Sequence, residues 1–593
     1  PSHLTPGNER MRMTGATALK GQRALVLASQ AWTGRSAGCL EGVTTGANKT
    51  FLTKAFISSP DLEQMESPFG KSYAPGSNRS GGCDFFAAST VTLVDMLPLE
   101  EDDIMITRRE RSGIVYYKHN LQTGRERVMF RDSGEYRAGL LDSRTGEILT
   151  KNGFEPIAGL DYRFETQIKN DETGRFEIED PLSFSFASRI NVSVIGRDDL
   201  TGKYYVLTDK FRDMPAIYFY DAVTNKFDPE PVFAHPDFEA AGIIFGNRED
   251  NFNRVLGFQY DAAYRETYWI DPEMKSIQEG LNAIYPDLHV IISDWNQDMS
   301  KVLYTTSSER HPTSYYLLLD KSRVAVIGNS RPWIEPESLG KMELVYYTAR
   351  DGMKIPAFLT YPAGWKEGDP PAPAIVSPHG GPWVRDFQGM DFAFVQPWAS
   401  NGYFVLQPQY RGSQGFGREL WLAGDNQWGL KMQDDKDDGA AWMVENGWVA
   451  EDRIAIMGYS YGGYAAMAAA VRPDSPYQCA IAGAGVSNLA KLGNRWSNDR
   501  LQRAFQGHTV SGMDPIQNVE EASIPILVIH GDRDVRVPLW HGRDYYNAIK
   551  DHTDATFYEM EDSPHGFPWP QHRREWIEQI NSYLENDCGP GGL

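Results

Sequence analysis

Four cysteines in 593 residues are too few to form a disulfide scaffold. Cys39 and Cys83 would pair in an exported protein, whereas Cys479 lies in an apolar run and reads as a buried thiol. No apolar stretch reaches the length of a membrane-spanning helix. Basic blocks are missing too. With 58 Lys and Arg against 80 Asp and Glu, the formal net charge is −22. That balance argues against nucleic acid and against an anionic membrane surface as partners, and otherwise favours solubility. There is no metal-ligand spacing, P-loop or dinucleotide fingerprint, so neither a metal nor a cofactor is expected. The chain opens on Pro1 rather than methionine, which fits either a trimmed sequence or a removed export signal. An exported location, periplasmic or secreted, is expected slightly ahead of a cytoplasmic one.

Helical periodicity is scarce up to about Arg331. Aromatic or apolar runs ending in polar turns recur at Tyr116, Tyr218, Tyr268 and Tyr315, the last three about fifty residues apart. That period suits the four-stranded blades of a β-propeller, with a β-sandwich pair as the alternative. The repeat is too degenerate to count blades. Length alone calls for more than one domain. The division expected is an N-terminal extension at 1–40, a propeller at 41–340, a second domain at 341–587 and a tail at 588–593. Pro332–Gly340 reads as the linker.

The most informative stretch is Gly458-Tyr459-Ser460-Tyr461-Gly462. It follows the apolar run Ile454–Met457 and precedes a small-residue helical pattern. Strand, sharp turn and helix, with serine at the apex, describe a nucleophile elbow. A serine needs a base and an orienting acid. Two downstream strand ends supply them. Ile526–Gly531 leads into Asp532 and Asp534, and Thr556–Met560 leads into His565. Open α/β sheets place their chemistry at such ends. Spacing alone leaves Asp532 and Asp534 both open, and His530, His541, His552 and His572 compete with His565. Tyr461 N–H and an N–H of the His379-Gly380-Gly381-Pro382 segment are the expected oxyanion donors. The run from Asp434 to Glu445 reads as an acidic structural helix.

Taken together, these motifs resemble the hydrolase domain of the prolyl oligopeptidase family of serine peptidases, closest to its acylaminoacyl-peptidase-like bacterial members. The matching residues are His379–Pro382, Tyr410–Ser413 with Gly415 and Gly417, Met432–Asp435, Gly458–Tyr464, His530-Gly531, Asp534, Val537-Pro538 and His565–Phe567. The resemblance implies an α/β-hydrolase domain, a doubly wound, mostly parallel sheet, preceded by an all-β propeller. It picks Asp534 as the acid beside Ser460 and His565, and Gly381 or Gly380 beside Tyr461 in the oxyanion hole. It gives Arg536 a substrate-binding role, while Trp496 is a further pocket candidate. It also implies an enclosed active site that selects peptides by size. Short or acylated peptides are the expected substrates, with acylaminoacyl-peptidase or oligopeptidase activity favoured. Carboxypeptidase, dipeptidyl-peptidase and carboxylesterase or amide-hydrolase activities are the alternatives, and homo-oligomerisation is left open.

Overall fold

The computed structural model describes residues 11–32, 50–66, 68, 91–110, 113–132, 134–157, 161–491, 507–567, 569–589 and 592–593. Cys39, Cys83 and Trp496 lie outside these residues. The described residues fall into two compact units. One lies within Pro1–Val206, Phe219–Pro229 and Gly246–Arg254; the other lies within Leu207–Tyr218, Glu230–Phe245 and Val255–Leu593.

Among the described residues, the N-terminal region is an all-β propeller of six blades, with a separate two-stranded sheet of Leu141–Asp142 and Glu147–Ile148. Each of the four aromatic runs noted above is the third strand of its sheet: Gly113–Asn120, Ala216–Asp221, Arg265–Trp269 and Ser314–Leu319. Alternation buries Val115 and Tyr117 in the first of these strands, Tyr218 and Tyr220 in the second, Trp269 in the third and Leu318 in the fourth, while Tyr268 and Tyr315 point to the exposed side. In the first unit, Ile104, Ile106, Val115 and Tyr117 pack with Leu25 and Ile57. Met11–Ala18 and Ala24–Trp32 pair with each other, and the second also pairs with Thr50–Ser58, so this sheet takes strands from both sides of residue 40. In the second unit, Leu256, Trp269 and Tyr304 form a core with the amphipathic helix Pro272–Ile284.

The rest of the second unit is an α/β-hydrolase sheet. Its strands are β1 (Met342–Thr348), β2 (Lys354–Thr360), β3 (Ala372–Val376), β4 (Phe404–Pro408), β5 (Val449–Tyr459), β6 (Cys479–Gly483), β7 (Ile526–Gly531) and β8 (Ala555–Met560). The order is β1-β2-β4-β3-β5-β6-β7-β8. Pairs β1/β2 and β2/β4 are antiparallel, and the rest are parallel. Strands β6 and β7, and the Ile454–Met457 stretch of β5, read as continuous apolar runs because both faces are covered. The helices that matter here are α1 (Lys431–Glu445), α2 (Tyr461–Ala470), α3 (Trp540–Ile549) and α4 (Pro570–Asn586). Among the described residues no helix is long and apolar enough to cross a membrane.

One expectation is corrected. Cys479 is not a free buried thiol; it forms a disulfide with Cys588, 109 residues away. Helix α4 packs Trp576, Ile580 and Leu584 into the core and delivers Cys588 to β6. The residues past 587, set apart above as a tail, thus add Cys588 and Leu593 to that core.

Closing a loop of this length removes conformational entropy from the unfolded chain, typically worth about 2–5 kcal/mol. The double substitution Cys479→Ala/Cys588→Ala should therefore lower the melting midpoint of this unit by several degrees in calorimetry. An unchanged midpoint would contradict the bridge's stabilising role.

Candidate active site

The C-terminal ends of β3, β5, β7 and β8 converge. Ser460 follows β5 and caps the N-terminus of α2 with φ 62° and ψ −115°. A non-glycine residue in this region is strained and needs support from its surroundings. Ser460 N–H donates to Gly483 O at 2.8 Å, and Ser460 O accepts from Tyr464 N–H at 2.9 Å. The flanking glycines permit the turn. A Cβ on Gly458 would lie 2.4 Å from the Gly462 carbonyl carbon, and one on Gly462 would lie 2.2 Å from Pro378 O.

His565 follows β8. Its Nδ1 is 2.6 Å from Asp534 Oδ2. The other carboxylate oxygen, Oδ1, accepts N–H bonds from Arg536 at 2.9 Å and Val537 at 2.8 Å. Asp534 is buried, and its two oxygens are therefore held in fixed directions. Asp532 does something else: its Oδ1 accepts from Ser563 N–H at 3.2 Å. Of the competing histidines, His530 is buried and places Nε2 2.8 Å from Val537 O and 3.7 Å from Asp534 Oδ2. Burial pulls its pKa below the usual histidine value. His541 is buried on α3, with Nδ1 3.2 Å from Ser487 N–H, and His572 is buried on α4.

Tyr459, which sequence reasoning treated only as part of the motif, ties the serine turn to the histidine loop. Its hydroxyl accepts from Gly566 N–H at 2.9 Å, and its ring meets the His565 ring edge-on at 5.2 Å. Burial raises its pKa further above the ordinary phenol value, with Asp534 adding to the effect. The phenol therefore stays neutral beside the carboxylate.

The segment after β3 runs alongside the elbow. A Cβ on Gly380 would sit 3.5 Å from Ser460 Cβ. His379 Nδ1 lies 2.7 Å from Gly380 O, its Nε2 lies 2.9 Å from Ser413 Oγ, and Tyr410 OH donates to His379 O at 2.8 Å. Burial lowers the His379 pKa to about 4, so the ring is neutral at physiological pH. Gly381 comes next, at φ 114°, a conformation that favours glycine. Tyr461, Tyr464, Trp428, Val486 and Val537 form an apolar cluster under the start of α2. Arg536 is exposed at the mouth of the Asp534 loop.

Residues 390–590 match the model of the prolyl oligopeptidase family. Dipeptidyl aminopeptidase BIII of Pseudoxanthomonas mexicana is 25% identical over 529 residues, covering 85% of this chain and 74% of that protein. Dipeptidyl peptidase family member 6 of Caenorhabditis elegans is 30% identical over 333 residues, 49% of this chain and 44% of that protein. The acylamino-acid-releasing enzyme of Mus musculus is 28% identical over 192 residues, 30% of this chain and 26% of that protein. Among solved structures, a puromycin hydrolase matches with a TM-score of 0.60 at 16% identity, over 96% of this chain and 94% of its own. A prolyl endopeptidase matches with a TM-score of 0.63 at 13% identity, over 98% and 82%. At these identities the structural matches show the fold.

The elbow's dependence on glycine is testable without any assay of activity. Gly462→Ala should destabilise the chain by about 1–3 kcal/mol, because its Cβ meets backbone that cannot rotate away. Gly389→Ala, whose Cβ would meet nothing within 4 Å, is the control and should melt like wild type. Equal melting of the two variants would show that the close approach is not made.

Proposed function

The chain belongs to the prolyl oligopeptidase family of serine peptidases, and we propose that it hydrolyses short peptides, including N-acylated ones, through an acyl-enzyme on Ser460. Ser460 Oγ attacks the scissile carbonyl carbon while His565 Nε2 takes its proton. Asp534 fixes the imidazole with Nδ1–H toward the carboxylate and stabilises the imidazolium. The N–H groups of Tyr461 and Gly381, or Gly380, donate to the oxyanion. His565 then protonates the leaving amine, and water repeats the cycle on the ester. The 2.6 Å contact between His565 and Asp534, on a loop bonded to the elbow through Tyr459, is the observation that carries this reading. It also favours Asp534 over Asp532, whose carboxylate caps Ser563 instead.

An acylaminoacyl-peptidase or oligopeptidase activity accords with the motifs. A second reading, removal of N-terminal dipeptides, is favoured by one observation: the relative aligned along 85% of this chain is a dipeptidyl aminopeptidase. A library of peptides with free and acetylated N-termini, digested and read by mass spectrometry, separates the two. Cleavage two residues from free amines only selects the second. Release of acylated residues selects the first.

Ser460→Ala should abolish labelling by a fluorophosphonate while leaving the melting curve intact. Full labelling of the folded variant would remove Ser460 from the mechanism. Asp534→Asn should reduce kcat on the order of 10⁴-fold through the wrong histidine tautomer. Asp532→Asn should retain most of kcat, and the opposite ranking would reverse the assignment.

Arg536 lies beside the acid and reaches solvent, a position suited to holding a peptide carbonyl. A charge-assisted hydrogen bond of this kind contributes about 1.5–3 kcal/mol. Arg536→Ala should therefore lower kcat/KM on peptides by about one to two decades. A small acyl ester should be affected much less, and equal losses on both substrates would mark a structural role.

A further inference from the structure

Helix α1 carries three consecutive buried charges: Asp435, Lys436 and Asp437. The two carboxylates have cationic partners. Asp435 accepts from Arg411, through its backbone N–H at 2.8 Å and its guanidinium at 2.6 Å. Asp437 lies 3.2 Å from Arg472 Nη1 and accepts from Gln433 Nε2 at 3.1 Å. Lys436 turns the other way, toward the elbow. Its ammonium donates to Met432 O and lies 3.5 Å from Tyr461 OH. It sits 3.7 Å from the centroid of the Tyr410 ring and 5.2 Å from that of Tyr461.

Those two rings belong to the two halves of the oxyanion site. Tyr461 bears one of the proposed N–H donors. Tyr410 stacks on Tyr461 at 5.1 Å and on His379 at 4.6 Å, and its hydroxyl holds His379 O. His379 in turn holds Gly380 O, next to the other donor. A desolvated ammonium over aromatic faces attracts both. We propose that Lys436 is a positioning residue of the oxyanion hole, whose charge clamps Tyr461 and the His379–Gly381 loop against each other. The inference rests on the acyl-enzyme reading of Ser460.

The clamp has a pH signature. Burial pulls the Lys436 pKa down to about 7, against the pull of Asp435 and Asp437 from its own helix and with the push of Arg411 and Arg472 from neighbouring loops. The other titratable groups facing it are neutral at that pH. Tyr410 and Tyr461 are raised well above the ordinary phenol value, and His379 is lowered to about 4. Burial raises the pKa of Asp437 to about 6 and shifts that of Asp435 upward as well. A lysine is charged below its pKa, so the clamp holds on the acid side and is released as pH rises through that value.

The test is the pH dependence of kcat and KM for the full chain on a peptide anilide, comparing wild type, Lys436→Met and Tyr410→Phe, each checked for folding by its melting curve. Removing one oxyanion donor outright costs about 10²–10³-fold in kcat, so misaligning the donors in Lys436→Met should cost about 10–100-fold. KM should stay within about twofold, as expected for an interaction felt in the transition state. The alkaline fall in kcat should disappear in this variant. Affinity for a peptide aldehyde, which forms a tetrahedral adduct, should fall in step with kcat. Tyr410→Phe keeps the ring and the lysine but loses the bond to His379 O. It should lower kcat while retaining the alkaline limb, and the double variant should lose less than the product of the two single losses.

A folded Lys436→Met with wild-type kcat and an unchanged alkaline limb would overturn the proposal. So would wild-type kcat in Tyr410→Phe, which decides the matter should Lys436→Met not fold. Loss of labelling in Ser460→Ala alongside either result would leave the acyl-enzyme reading standing. Retained labelling in Ser460→Ala would remove that reading, and the clamp with it.

Discussion

Backbone packed directly on backbone, with no side chain between, is the constraint on which the catalytic unit depends. Gly458 faces Gly462 across the turn, and Gly462 faces Pro378 O on the neighbouring strand end. These contacts hold Ser460 at a positive φ that serine seldom adopts. They also set the distance between the serine and the His379–Gly381 segment. The strain is offset locally by two backbone hydrogen bonds and more widely by the buried central strands β3, β6 and β7 and by helix α2.

Around this turn the structure works by fixing groups before any substrate arrives. Asp534 has both oxygens engaged, one by two backbone N–H groups and the other by His565. Tyr459 links the loop after β8 to the residue before the serine. Arg411 spans Asp435 on α1 and Asp351 on the loop between β1 and β2, anchoring the segment that carries Tyr410. In the acyl-enzyme mechanism proposed above, stabilising the oxyanion needs donors that do not reorganise, and such ties would supply that stiffness. A buried ion pair like Arg411–Asp435 adds little net stability. Its contribution here is a defined geometry.

Much of this was legible in the sequence because the parts lie at strand ends and carry local signatures. Ser460 is marked by its glycines, and His565 by its place after an apolar strand. The choice between Asp532 and Asp534 was not legible from spacing, since both follow β7 within one turn. Only the direction of the carboxylates separates them. The blade count was hidden because only four of the six blades carry a recognisable aromatic strand. The Cys479–Cys588 bridge was invisible because its partners are 109 residues apart and an apolar run around Cys479 looks the same with or without it. Lys436 was masked by its acidic neighbours, because α1 read as an acidic structural helix with nothing to mark a buried lysine on its inner face. Trp496 had the right composition for a pocket residue but lies outside the described residues.

The most direct measurement is a pre-steady-state reaction with an N-acyl-peptide nitrophenyl ester, quenched in acid and mapped by mass spectrometry. An acyl-enzyme on Ser460 predicts a burst of one nitrophenolate per chain. The acyl mass should then sit on the peptide containing Ser460. Linear release with no adduct, or an adduct on another residue, would contradict the account.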